Sequence, residues 1–180
     1  GLAAGMSRAV PSGVETLRRL LPQALPRARG VILAVGHPDL VRGEAAVGAC
    51  VEQLLSALSE REVRQAGALL VSAADGTTAR LLAAHLGTDP LTNRRCLGVL
   101  CLLGAAAEPA GEQILQLLDD PDRISRHRAL VTLASFELPV AMRAQAAKAL
   151  FSLFESHRDH ATRLLALDAL YAYVDSRDSV

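Results

Sequence analysis

The sequence predicts an all-α protein, built as a solenoid of about four helix pairs, from three observations. A short pattern recurs along the chain at intervals of about 31 to 37 residues, a period typical of helical repeat proteins. Hydrophobic residues make up 51% of the 180 residues and aromatic residues only 3%, with no Trp. A core must therefore be built from Leu, Ala and Val, which suits helices more than sheets. Apolar residues also recur at helical spacing within each segment.

The N-terminal part of the chain is the least regular. Residues 11–42 include Pro22, Pro26 and Pro38, so any helices there must be short or kinked. We interpret 11–42 as an irregular helical cap or a degenerate repeat. Residues 1–10 are expected to be disordered or a tag remnant, and residues 176–180 to be frayed.

Residues 43–175 divide into four predicted helix pairs, which are 43–57 with 60–73, 76–86 with 90–104, 109–118 with 122–136, and 140–156 with 160–174. Residues suited to helix starts precede or open several of these segments. Asp75 and Asp159 are candidate N-caps, and Pro90, Pro109 and Pro139 can occupy first turns. We expect these pairs to stack as one repeat domain.

The recurring pattern is an acidic turn followed by an arginine early in the second helix. DDPDRISRHRAL at 119–130 aligns with TDPLTNRRCLGV at 88–99, which places Asp89 on Asp120 and Arg95 on Arg126. We expect each arginine to donate a bidentate bond to the aspartate six residues earlier. A small residue follows each arginine three places later, where we expect a neighbouring helix to approach closely. In the four units it is Gly67, Gly98, Ala129 and Ala166.

The stretches LLDDPDRISRHRALVTLA and LSEREVRQAGALL resemble the HEAT-repeat family, close kin of the armadillo repeats. The resemblance covers about residues 43–175 and implies a curved, right-handed α-solenoid whose second helices line a concave surface, usually bound by other proteins. The function it implies is a protein–protein interaction scaffold or adaptor, part of a larger protein, that binds a partner peptide or helix. Candidate partner-binding residues on the second helices are Arg61, Arg94, His127 and Arg128.

Composition argues against several other classes of protein. Lys plus Arg and Asp plus Glu each number 19, so the net charge is zero, whereas a dedicated nucleic-acid binder should carry a basic excess. No apolar run approaches the ~18 residues of a membrane span. Cys50, Cys96 and Cys101 form an odd, sparse set, typical of reduced thiols. We therefore expect an intracellular protein, cytoplasmic or nuclear, without membrane contact.

No motif supplies a catalytic, cofactor or metal site. The sequence holds no Ser or Cys in a glycine-rich elbow and no phosphate-loop spacing. Cys96 and Cys101 lack a nearby His or second Cys pair, and a capping turn accounts for His157 and His160. We therefore expect neither enzymatic activity nor a cofactor or metal. Two alternatives stay open: a homo-oligomeric structural module, and, less favoured, a HEAT-like nucleic-acid-binding protein.

Overall fold

A computed structural model of the chain describes residues 13–24, 32–33, 37–73 and 75–175. Within these ranges the secondary structure is helical, with no strand. The expectations for residues 1–10 and 176–180 lie outside the described residues. In the described part of the N-terminal stretch, helix α1 (Gly13–Leu20) is followed by two 3-10 turns, Leu21–Gln23 and Pro38–Val41. No helix within the described ranges combines the length and apolarity needed to cross a bilayer.

The remaining helices form four consecutive pairs, called units one to four below. The pairs are α2 (Glu44–Ser56) with α3 (Glu60–Ala73), α4 (Gly76–Ala83) with α5 (Pro90–Leu103), α6 (Gly111–Gln116) with α7 (Arg123–Leu133), and α8 (Val140–Ser156) with α9 (His160–Asp175). The second helices α3, α5, α7 and α9 stack one on the next, and α2 packs on α4 in the first-helix layer. The predicted all-α solenoid of four helix pairs is confirmed.

The core lies between the two helix layers and runs the length of the described solenoid. It is aliphatic, as the composition predicts, and leucines from both layers are buried with almost no exposed surface, among them Leu54, Leu70, Leu100, Leu118 and Leu130. Each fully buried leucine contributes about 1.5–3 kcal/mol relative to an exposed one. Because each unit buries its apolar face only against its neighbours, the second helices are fixed in position relative to one another.

The first helix of unit three is shorter than the predicted segment 109–118. Only Gly111–Gln116 is α-helical, and 3-10 segments at Gly104–Ala110 and Leu117–Asp119 flank it. Pro109 lies inside the first of these segments, and the α-helix begins after it at Gly111. The expected place of Pro109 in the first turn of a longer α-helix is therefore wrong.

Both predicted aspartate caps are confirmed. Asp75 Oδ1 accepts a hydrogen bond from the backbone N–H of Thr78 at 2.8 Å, at the start of α4. Asp159 directly precedes α9, and its Oδ1 accepts from the N–H of Ala161 at 3.3 Å. These bonds satisfy N–H groups that have no partner inside the helix.

The capping residues also correct the repeat register. Helices α5, α7 and α9 begin directly after Asp89, Asp122 and Asp159, so Asp122, and not Asp120, is the equivalent of Asp89. Counted from the caps, the buried small position holds Ala66, Cys96, Ala129 and Ala166. Gly98 falls on a different, half-exposed position, so its predicted equivalence with the two alanines is wrong. The repeat register follows the aspartate that caps each helix. The alignment of Asp89-Pro90 with Asp120-Pro121 in the sequence does not reveal which aspartate makes the cap.

Candidate functional site

The exposed side chains of the second helices form one surface along units one to three, called the second-helix surface below. Exposed or half-exposed positions recur at helical spacing from each cap, so they share one face of each helix. This surface consists of Arg61, Arg64, Leu91, Arg94, Gly98, Leu102, Ile124, His127, Arg128 and Val131. Consecutive stacking of α3, α5 and α7 aligns the three faces.

All four predicted partner-binding residues lie on this surface. Arg61 is on α3, Arg94 on α5, and His127 and Arg128 on α7. Arg61 and Arg128 are exposed, whereas Arg94 and His127 are half-buried because they contact the next unit. The structure brings Arg94, His127 and Arg128 into one neighbourhood, with Arg61 one helix away. Their role in binding stays a prediction.

Two adjoining depressions run along the second-helix surface. The first, of about 760 Å³, lies between α3 and α5 and reaches Arg128 on α7. The second, of about 410 Å³, lies between α5 and α7, where Cys101, Ile124 and Val131 line it. Both are lined by Gly98, Leu102 and Arg128. We call the two together the groove. Its open, elongated form suits a segment of chain rather than a small molecule.

Gly98 lies at the junction of the two depressions. A Cβ atom there would lie 3.2 Å from Nη1 of Arg128, and that same nitrogen donates a hydrogen bond to the backbone carbonyl of Arg94 at 2.9 Å. The space above Gly98 is thus occupied by an arginine head group. The expected close approach of a neighbouring helix at Gly98 is therefore wrong.

The capping aspartates of units three and four also bind the preceding unit. Arg94 Nη2 donates to Asp122 Oδ1 at 2.9 Å. In the equivalent place one unit later, His127 Nε2 lies 3.0 Å from Asp159 Oδ2, and Arg123 Nε donates to the same oxygen at 3.1 Å. Each aspartate therefore caps its own helix and holds a side chain of the second-helix surface in place. The sequence analysis missed Asp122, although an Asp directly before a predicted helix is a candidate N-cap.

These bonds lower the pKa of both aspartates below the ordinary range. The pKa of Asp122 is lowered to about 2, chiefly by the hydrogen bond from Arg94 and then by those from Ser125. The pKa of Asp159 falls well below its usual range because Thr162 and then His127 bond its carboxylate. The negative charge of Asp122 therefore compensates the positive charge of Arg94 within the second-helix surface.

The early arginines hold the turns through backbone carbonyls, so the predicted bidentate bonds to aspartate are wrong. Arg126 Nη1 donates to the backbone O of Asp120 at 2.7 Å. Arg95 donates to the carbonyls of Leu55 and Ala57, at the end of α2, with 2.7 Å to Ala57. Carbonyls at a helix end have no partner inside the helix. They compete successfully for the guanidinium, and sequence alone does not show which carbonyls lie within reach.

The carboxylate of Asp120 is engaged by Asn93 instead. Asn93 is buried in the first turn of α5, and its Nδ2 donates to Asp120 Oδ2 at 3.0 Å. Its Oδ1 accepts from the N–H of Gly87 at 2.8 Å, where Gly87 has a φ of 83° that favours glycine. One amide therefore joins the turn of unit two to the turn of unit three.

The cysteines and other potential ligands show no reactive grouping. Among the described residues, no group of three or more His, Cys, Asp and Glu side chains is placed to hold a metal ion. Burial raises the pKa of both Cys50 and Cys96 to about 12, so these two remain thiols at neutral pH. Cys101 is half-exposed and lines the groove.

Solved structures similar to this chain include two engineered proteins. An engineered protein solved by a structural genomics consortium superposes with a TM-score of 0.52 at 18% identity, covering 91% of this chain and 80% of that chain. A designed armadillo repeat protein gives 0.51 at 18% identity, covering 87% and 80%. Neither a protein-family model nor a curated protein sequence matches the chain. At this identity the likeness concerns the fold alone.

Proposed function

Because the chain is folded as an armadillo/HEAT-like helical repeat solenoid, we propose that it is a protein-interaction scaffold or adaptor. It binds a segment of a partner protein along the groove of the second-helix surface. One observation carries this proposal: exposed aliphatic side chains follow one another along the groove. Leu91 and Leu102 project from α5 with 55% and 70% of their surface exposed, and Ile124 and Val131 project from α7 with 46% and 45%.

A row of this kind differs from the scattered apolar residues found on most surfaces. Single exposed leucines need no explanation, whereas a contiguous apolar patch beside polar groups is typical of a protein-binding site. Apart from Leu58 and Ser59, the groove residues come from packed helices rather than loops, so little backbone entropy is lost when a partner binds. A peptide or helix laid across α3, α5 and α7 would cover all four aliphatic side chains at once.

Binding is favoured over catalysis by the chemistry of the groove. The described residues that line it are arginines, aliphatic side chains, a few small residues, His127, Cys101 and one carboxylate, Glu60. They bring together no nucleophile with an adjacent general base. We also propose an intracellular location, cytoplasmic or nuclear, in keeping with the free thiols of Cys50, Cys96 and Cys101.

Selection from a displayed library of random 12-residue peptides tests the proposal. The immobilised chain should enrich peptides whose binding is weakened at least about ten-fold by Leu102→Asp, because a carboxylate would be buried against the peptide. The matched control is Phe151→Asp, since Phe151 is also exposed but lies on α8 in the first-helix layer. Peptides that bind wild type and Leu102→Asp equally would contradict the proposed site.

Self-association is a second candidate function, and α9 is the observation that favours it. Leu167 and Tyr171 are exposed on α9, whereas the equivalents of Leu167 in units two and three, Leu97 and Leu130, are buried under the following unit. This apolar face could take a second copy of the chain. Light scattering at two concentrations should then show a dimer that Tyr171→Asp dissociates, and a monomer at both concentrations would exclude it.

A further inference from the structure

We infer that the groove selects an acidic segment, one that carries carboxylates beside apolar anchor side chains. This inference rests on the proposed function and names its partner class. Four arginines line the groove, namely Arg64, Arg94, Arg95 and Arg128. Among the described lining residues Glu60 is the one carboxylate. The chain as a whole has no net charge, so the positive charge is concentrated at this surface.

The positive charge of Arg128 is the one most available to a partner. Among the described residues Arg128 pairs with no carboxylate and donates to a backbone carbonyl at 2.9 Å. A carbonyl fixes a guanidinium in place without neutralising it, and each guanidinium carries five N–H donors. Arg95 donates to two carbonyls at the end of α2 and is half-buried. Beyond the hydrogen bonds from Thr92, the nearby charge of Arg95 lowers the pKa of Asp89. By contrast, Arg64 is paired with Glu60 and Arg94 with Asp122. Arg128 is therefore fixed in place, positively charged and exposed. It lies beside the exposed aliphatic side chains Leu91, Leu102, Ile124 and Val131, called the apolar row below.

The apolar row defines what must accompany the carboxylates. Leu91 and Leu102 line the groove on either side of Gly98 along α5, and the guanidinium of Arg128 lies over the glycine between them. An aliphatic or aromatic side chain of a partner can pack on Leu91 or Leu102 beside that guanidinium. A carboxylate within a few residues of that anchor would then reach Arg128.

Charge complementarity favours a protein segment over a nucleic acid strand. Proteins that hold single strands stack bases on aromatic side chains, and the described residues lining the groove are aliphatic where they are apolar. A peptide can present apolar side chains and carboxylates together, as the aliphatic side chains and Arg128 of the groove require, whereas a nucleic acid strand carries a phosphate at every unit.

The peptides recovered by the library selection provide the test. Their sequences are read for net charge, and fluorescence anisotropy gives their affinities for wild type, Arg128→Glu and Arg128→Gln. We expect the enriched set to be acidic, with at least one large apolar residue. Arg128→Glu should weaken binding by about ten-fold or more, Arg128→Gln by less, and added salt should weaken binding to wild type. The control is Arg80→Glu, the same charge change on α4 in the first-helix layer, which should leave affinity unchanged.

Other outcomes separate this inference from the proposed function. Neutral or basic peptides that lose binding with Leu102→Asp but not with Arg128→Glu would overturn the acidic selectivity and leave the binding site intact. Peptides insensitive to every groove substitution would overturn both. Tight binding of a twenty-nucleotide polythymidine that is lost with Arg128→Glu would overturn the inference in favour of a nucleic acid partner. Circular dichroism melts of each variant show that it is folded.

Discussion

At the scale of single residues, neighbouring arginines of this chain make different kinds of bond. Arg94 pairs with the carboxylate of Asp122 across the unit boundary, whereas Arg126 and Arg128 donate to backbone carbonyls. The ion pair neutralises the charge of the arginine, whereas a hydrogen bond to a carbonyl leaves that charge uncompensated. The same residue type therefore closes the turns and supplies the uncompensated charge of the groove.

Asn93 gives a stability prediction at this scale. Asn93→Ala removes the amide that satisfies both the N–H of Gly87 and the carboxylate of Asp120. Because Asn93 is buried and both bonds are partly buried, we expect a loss of about 1–3 kcal/mol in the free energy of unfolding. Urea denaturation measures it. The exposed substitution Arg61→Ala is the control and should change stability by less than about 0.5 kcal/mol; similar losses for both would contradict the bridging role.

Asp122 gives a prediction for pH dependence. Its pKa is lowered from 3.8 to about 2 in the folded chain, so the folded state favours the carboxylate more than the unfolded state does. This stabilisation is complete above pH of about 4 and is lost as the pH falls towards about 2. Asp122→Asn keeps a capping side chain but loses the charge that pairs with Arg94.

The variant should therefore unfold at lower urea than wild type at pH 7. The difference between their urea midpoints should narrow as the pH falls below about 4, because wild type then loses the same charge. Midpoints measured at several pH values give the comparison. A difference that stays constant down to low pH would show that the ion pair contributes nothing.

At the scale of helices, two glycines should respond in opposite ways to alanine. In α5, Gly98→Ala gains about 1 kcal/mol of helix propensity. Its Cβ would displace only the end of the long Arg128 side chain. In α6, a Cβ at Gly111 would lie 2.6 Å from Cδ2 of the buried Leu138 and 3.6 Å from Cε of Met142. We expect Gly98→Ala to raise the thermal midpoint and Gly111→Ala to lower it, because the latter overpacks the core. Two variants with equal midpoints would contradict these helix contacts.

Sequence patterning predicts the helices well and their fine register poorly. The segments 60–73 and 140–156 match α3 and α8 because their apolar periodicity is long and uninterrupted. The first helix of unit three is shorter than the predicted segment because 3-10 turns form at both of its ends. The predicted register of α7 is wrong because Asp120 and Asp122 are both candidates for the aspartate equivalent to Asp89. Only the hydrogen bond from the N–H of Ser125 to Asp122 shows that Asp122 makes the cap.

The candidate surface is likewise predictable from the sequence only in part. Its location on the second helices follows from the repeat pattern, which fixes the exposed face of each helix. The pairings within it, such as Arg94 with Asp122, join residues of different units. They depend on how the helices stack, which local sequence does not encode. The exposure of Leu102 is equally a property of the packed solenoid, since the same residue type is buried at Leu100 and Leu103.

At the scale of the whole molecule, the second helices contribute to the core and also present the surface that we propose binds a partner. The second helices stack without interruption through units one to three, and this arrangement aligns the groove across α3, α5 and α7. Positive charge and aliphatic surface then coincide on a chain whose total charge is zero. An extended surface of this kind gains affinity from several modest contacts rather than from one deep pocket.

Amide chemical-shift mapping tests the central claim, partner binding in this groove, most directly. The ¹⁵N-labelled chain is titrated with an acidic peptide from the library selection, and the shifted amides are assigned. We predict that the largest changes fall on α3, α5 and α7, with Gly98 and Leu102 among them, and that α2, α4 and α6 change little. Changes concentrated on the first-helix layer, or confined to the exposed face of α9, would contradict the account.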